Sequence, residues 1–137
     1  MLGDWYANRL NIGRHRLILC TSEATLLTVV VPAKDLLGLP IRLAESVSLC
    51  LQRIGVPLAR VQLELNEMQL VRFDRTVSRS ILGSMNDFIL SAYAFVGGAE
   101  SDMYLDDLDA RLNETPCKPL GYMSPTERAR LAMLGAA

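Results

Sequence analysis

The sequence lacks the short motifs that mark the common catalytic and metal sites. It contains no P-loop, no GxGxxG, GxSxG or HExxH pattern, and no CxxC pair. Its single histidine, His15, stands at a predicted turn without an orienting partner close by in the sequence, so it is a poor candidate for a general base. We therefore expect no metal and no cofactor, and the sequence leans away from an enzyme.

Cysteine is scarce, with three widely separated residues. An odd number without metal-clip spacing predicts no disulfide framework and indicates a reducing, cytoplasmic setting. Cys20 and Cys50 stand in apolar segments and are interpreted as core residues. Cys117 is flanked by prolines, and it is the one thiol that we expect at the surface.

Neither sign of charge dominates, because 14 basic residues oppose 15 acidic ones. This balance gives no general attraction to nucleic acid or to an anionic membrane. No apolar run approaches the roughly 20 residues that span a bilayer, so we expect no membrane partner. Half of the chain is nevertheless hydrophobic. That content predicts a full core together with an apolar contact surface.

What the sequence does contain is a group of short strands followed by helices. A chain of 137 residues is expected to form one domain, with its core over about 4–116 and a C-terminal loop and short helix over 117–137. β-Branched runs and alternation predict strands at 5–12, 15–21, 25–31, 61–65 and 68–73. Periodicity and capping residues predict helices at 40–54, 75–98, 100–113 and from 124 onward. The fold class that follows is α+β, in the order β-β-β-α-β-β-α-α-α, with an antiparallel sheet of about five strands and helices mainly on one face.

Residues 75–98 show the clearest helical periodicity, with an apolar half and an unusual polar half. Arg79, Gly83, Asn86 and Asp87 stand where an ordinary solvated helix carries Glu and Lys, and Arg75 shares one edge of the helix with Arg79, Asn86 and Tyr93. Arginines recognise phosphate or carboxylate, and the amide and the carboxylate select by hydrogen bonds. In the structural alternative, Arg79 bonds Asp87 or loop carbonyls, and Asn86 holds the first strand.

Trp5, Asn8 and Arg9 form a second candidate group on the first predicted strand. An aromatic ring and an amide there would line a pocket against the central helix. In the structural alternative, Trp5 anchors the core or its rim, and Asn8 caps a turn or bonds the central helix.

Two charged groups are weaker candidates. Arg14, His15 and Arg16 form a basic tip on the first predicted hairpin. This tip could contact phosphates, or it could simply be a solvated hairpin end. An acidic group lacks the spacing of a calcium loop and is interpreted as an exposed face suited to a basic partner. It comprises Glu100, Asp102, Asp106, Asp107 and Asp109.

Part of the chain resembles a small bacterial family known only as a domain of unknown function. The resemblance rests on Trp5-x-Ala7-Asn8, on residues 17–21 with Thr25, and above all on residues 79–87, Arg-Ser-Ile-Leu-Gly-Ser-Met-Asn-Asp. The family's motif reads Asn-Arg-Ser-Val-Leu-Gly-Ser-Met-Asn-Asp, so Ser78 and Ile81 are mild departures. The match extends to about Pro116 and implies a place for the site without implying an activity.

Three functions remain open. The favoured interpretation is a non-catalytic binding or protein-interaction module, acting as a homo-oligomer or with a protein partner. The alternative is a small ligand-binding protein or enzyme that uses Arg79, Asn86 and Asp87 near Trp5 and Asn8. Nucleic-acid binding through Arg14, Arg16 and Arg75 is the least favoured, because the basic residues do not cluster on one predicted element.

Overall fold

The sheet is an antiparallel meander of three strands with the second in the middle. The computed structural model describes residues 1–12, 14–34, 36–68, 79–96 and 107–135. The strands are β1 (Trp5–Ile12), β2 (His15–Ser22) and β3 (Thr28–Pro32). The first two predicted strands are confirmed, and the third begins later than predicted. The reason is a turn, in which Leu26 adopts a positive φ and the Thr25 hydroxyl accepts the Leu27 N–H.

Five α-helices lie within the described residues, with short 3-10 turns at Leu36–Gly38 and Lys118–Leu120. In chain order they are α1 (Leu39–Arg53), α2 (Leu58–Glu67), α3 (Arg79–Val96), α4 (Leu108–Asn113) and α5 (Pro125–Leu134). Helix α1 follows its prediction, because a proline stands in its first turn and Gly55 takes a φ of +95° just beyond its end.

The strand predicted at 61–65 is wrong, because these residues lie within α2. The helix turns Val61 and Glu64 inward and leaves Leu63 exposed. A carboxylate at a core position hides the helical period, so only the apolar alternation of Val61, Leu63 and Leu65 remains visible in the sequence. The strand predicted at 68–73 falls outside the described residues from 69 onward. The expected five strands are not supported, since the sheet of the described residues has three.

Helices cover both faces of the sheet, whereas the sequence predicted them mainly on one face. On one face, Ile18, Cys20 and Val29 pack in a cluster with residues of α1, α2 and α5. On the other face, Leu10 and Leu19 pack against α3 and α4. Strand β2 is buried on both sides, as its lack of alternation indicates. A helical stripe shows that a helix packs, but it does not show on which face of the sheet.

The remaining predicted helices are confirmed where the structure describes them. Helix α3 covers most of the predicted 75–98, while 75–78 and 97–98 lie outside the described residues. Helix α4 is the described end of the predicted 100–113. Helix α5 begins at the predicted N-cap residue, where Ser124 Oγ accepts from Glu127 N at 3.2 Å and donates to Glu127 Oε1 at 3.1 Å. Among the helices in the described ranges, none is long and apolar enough to cross a membrane.

Candidate interaction surface

Helix α3 is fixed on the sheet by its apolar inner face. Ile81, Met85, Phe88 and Ala92 recur every three or four residues and are buried against β1, β2 and α4. Burial of a large apolar side chain contributes about 1.5–3 kcal/mol, so Ile81, Met85 and Phe88 hold the helix in one rotation about its axis. That rotation determines which residues the helix presents outward.

The outward side of α3 combines polar and apolar groups, and we call it the α3 outer face. Its members are exposed and lie on one side of the helix, since they recur at spacings of three and four. Leu90 is 67% exposed and Tyr93 is 45% exposed. The α3 outer face comprises Arg79, Ser80, Gly83, Asn86, Asp87, Leu90 and Tyr93.

Gly83 stands in the middle of this face with open space in front of it. Beyond its chain neighbours and the adjacent backbone of α3, a Cβ built on Gly83 meets no atom of the described chain within 4 Å, and its φ is not in the left-handed region. Glycine inside a helix costs about 0.5–1 kcal/mol relative to alanine. The described part of the chain therefore offers no packing or conformational reason for glycine at this position.

The side chains of Arg79, Asn86 and Asp87 point to solvent. The described residues provide no hydrogen bond or ion pair to any of the three. The structural alternative expected Arg79 to bond Asp87 or loop carbonyls, and Asn86 to bond the first strand. None of these bonds occurs within the described ranges. Arg75, the other predicted member, lies outside the described residues.

Cys117 lies close enough to Asp87, a member of the α3 outer face, for the carboxylate to act on its thiol. Burial raises the pKa of the Cys117 thiol, and the carboxylate of Asp87 raises this pKa further. The Cys117 Sγ donates to the carbonyl of Thr115 at 3.3 Å. Cys117 is half-buried, whereas Cys20 and Cys50 are buried, so it is the most accessible of the three thiols.

Trp5 and Asn8 do not meet at a common pocket. Trp5 packs against the core cluster on the α1 side of the sheet. Asn8 pairs with Leu19, whose side chain belongs to the cluster on the α3 side. Alternation along β1 thus places the two predicted partners on opposite faces. The buried indole N–H of Trp5 has no hydrogen-bond acceptor among the described residues.

The charged groups predicted as weaker candidates are only partly described. Arg14 and Arg16 are exposed at one end of the β1–β2 hairpin. Of the acidic group, Asp107 is exposed, and Asp109 lies 3.6 Å from Arg53 with its pKa raised by burial. The other three acidic residues fall outside the described ranges. Within those ranges, no three His, Cys, Asp or Glu side chains form a group that would hold a metal ion.

An open apolar groove between α1 and the end of α2 was not predicted. Its volume is about 650 Å³, and the carboxylate of Glu45 and the hydroxyl of Ser48 lie among otherwise apolar lining. The signal in the sequence was Ile41 and Leu49, two apolar residues two turns apart and outside the buried stripe of α1. The full lining is Pro40, Ile41, Ala44, Glu45, Ser48, Leu49, Leu65 and Met68.

The sequence also did not predict the role of Glu64. Its buried carboxylate accepts the Leu2 N–H at 3.0 Å and the Met1 ammonium at 3.1 Å. The carboxylate of Glu67 accepts a hydrogen bond from the same ammonium at 2.9 Å, and this hydrogen bond lowers the pKa of Glu67. Burial lowers the pKa of the Met1 amine, but the two carboxylates raise it by more, so its pKa ends above the ordinary value.

The fold and this surface define a small α+β protein with a sheet between two helical layers and an exposed polar-apolar helix face. The chain belongs to the family described as Domain of unknown function (DUF6933), whose model matches residues 1–128. This match confirms the resemblance to a family of unknown function. Comparison with curated proteins and with solved structures finds no match.

Proposed function

We propose that the protein is a non-catalytic protein-interaction module and that the α3 outer face is its docking surface. The observation that carries the proposal is Gly83, an exposed helical glycine without a structural reason in the described chain. A glycine of this kind is explained if another backbone approaches the helix closely, because a Cβ would hold the two apart.

Leu90 and Asn86, which lie on the same face as Gly83, also support this proposal. An isolated exposed leucine is common, but Leu90 stands two turns from Gly83 on one line along the helix. Asn86 and Asp87 offer hydrogen-bonding groups that the described residues leave unused. The face thus offers an apolar anchor beside exposed polar groups, and protein interfaces commonly combine the two.

A comparison of two leucine variants tests the proposal. Leu90→Asp places a charge on the α3 outer face, whereas Leu63→Asp makes the same change at an exposed position of α2 outside the groove. We expect Leu90→Asp to abolish association, measured by sedimentation velocity and by retention of host proteins on the immobilised chain. Leu63→Asp should behave as the unchanged protein. Equal association of both variants would contradict the proposal.

The groove favours a second function, binding of a small apolar ligand. Its volume of about 650 Å³ is that of ordinary small-molecule sites. Ala44→Trp would fill the groove, and Ala59→Trp adds the same ring at an exposed position of α2. We expect the apolar dye Nile red to gain fluorescence with the unchanged protein and with Ala59→Trp, but not with Ala44→Trp. Equal dye binding by all three would exclude the groove as the site.

A further inference from the structure

The polar groups of the α3 outer face are arranged symmetrically in sequence around Gly83. One turn before it stand Arg79 and Ser80, at −4 and −3. One turn after it stand Asn86 and Asp87, at +3 and +4. All five residues are exposed. The cation Arg79 thus precedes the glycine, and the anion Asp87 follows it at the same distance along the helix. A hydroxyl and an amide, which both donate and accept, stand one residue closer on either side.

We propose that the partner of this face is a second copy of the chain, with two α3 helices crossing antiparallel at Gly83. The inference rests on the proposed function and names its partner. A twofold axis through the crossing point places each residue at −n of one helix level with +n of the other. Arg79 of each chain then lies beside Asn86 and Asp87 of the other, and Ser80 lies beside Asp87.

A parallel pair is disfavoured by the same charges. It would place the two Arg79 side chains together and the two Asp87 side chains together, and like charges in contact weaken association. The antiparallel pair makes every one of these contacts complementary. At its centre the two glycines let the backbones approach, as small residues do at close helix crossings. An interface made by one helix face is small, so we expect weak, concentration-dependent association.

Charge reversal provides the test, because the proposed contacts are reciprocal. Arg79→Asp leaves two carboxylates facing each other at both ends of the pair, and Asp87→Arg leaves two guanidinium groups. Each variant alone should associate about tenfold more weakly than the unchanged chain. In an equal mixture, the two variants pair with each other and regain both opposite-charge contacts. Sedimentation equilibrium of each variant and of the mixture measures this, with circular dichroism confirming that both fold.

The outcomes separate this inference from the proposed function. Recovery of the dimer in the mixture supports the crossing at Gly83. A dimer that weakens with each variant and is not restored by mixing overturns the antiparallel arrangement. The chain could stay monomeric at millimolar concentration and yet lose a host partner on Leu90→Asp. That result would rule out a second copy as the partner and would leave the proposed function standing. A monomeric chain that is indifferent to Leu90→Asp defeats both.

Discussion

The side-chain amide of Asn113 pairs with the backbone of Thr28 in both directions. The Thr28 N–H donates to Asn113 Oδ1 at 2.8 Å, and Asn113 Nδ2 donates to the Thr28 carbonyl at 2.8 Å. Both residues are buried. Helix α4 thereby satisfies both backbone groups of Thr28 at the start of β3, and it ties the α3 side of the fold to the sheet.

Removal of this amide should destabilise the fold. Asn113→Ala leaves two buried backbone groups without partners, each at about 1–3 kcal/mol, so we expect the free energy of unfolding to fall by about 2–6 kcal/mol. Urea unfolding measures the change. Asn11→Ala, at an exposed position of β1, is the matched control and should remain within about 0.5 kcal/mol of the unchanged chain. A similar small effect for both variants would show that the pairing does not stabilise the fold.

Replacement of Gly83 by alanine should change stability and association in opposite directions. Gly83→Ala removes a helix-interior glycine that has room for a Cβ, so the free energy of unfolding should rise by about 0.5–1 kcal/mol. Association should weaken in the same variant, because the added methyl group separates the two backbones. Gly55→Ala is the contrasting control, since its φ of +95° strains alanine and should lower stability. Unfolding titrations and sedimentation together decide, and unchanged association in Gly83→Ala would count against the close crossing.

The three thiols should react at very different rates. Burial raises the pKa of Cys20 and of Cys50 to about 12, so near pH 8 only about one thiol in ten thousand is the reactive thiolate. We expect Ellman's reagent to modify Cys117 in the native chain and all three cysteines only after unfolding. Asp87→Asn should speed the reaction of Cys117, because loss of the carboxylate lowers the thiol pKa. Asp107→Asn is the control, and an equal rate in both variants would place Asp87 too far away to act.

The Met1 amine should make stability depend on alkaline pH. Its pKa is raised above 8.0 in the folded chain, so the folded state holds this proton more tightly than the unfolded state. The contribution is therefore complete below pH 8 and is lost as the pH rises through the folded pKa. Urea unfolding of the chain with a free amine should show this decline, because urea is uncharged and does not screen the ion pairs.

The matched control for this decline is a double variant, Glu64→Gln with Glu67→Gln, which removes both carboxylates. Its absolute stability will be lower, but its stability should vary less over the same alkaline range. An equal decline in both proteins would assign the pH dependence to other groups.

Local signals in the sequence were sufficient for the hairpin, for α1 and for the start of α5. Each of these has a strong local cause, such as the proline and glycine that bound α1 or the Ser124 N-cap. Helix α2 was missed because Glu64 occupies a buried position, where its carboxylate is satisfied by groups more than 60 residues away. No local pattern can show a partner that only the tertiary fold supplies.

The candidate surface was predictable in part. The sequence singled out Arg79, Gly83, Asn86 and Asp87 because their types are unusual for the polar side of a helix. It joined them to Trp5 and Asn8, which alternation on β1 places on opposite faces of the sheet. The groove depends on two helices whose contact is a tertiary event, so Ile41 and Leu49 alone did not reveal it.

A concentration series of amide chemical shifts tests the α3 outer face most directly, since the 15.1 kDa chain is well suited to NMR. On dilution from millimolar to micromolar concentration, we predict shift changes at Ser80, Gly83, Asn86 and Asp87. The amides of Ala44 and Leu65 in the groove should stay constant. Shifts that are independent of concentration throughout, or that change only in the groove, would contradict self-association through this face.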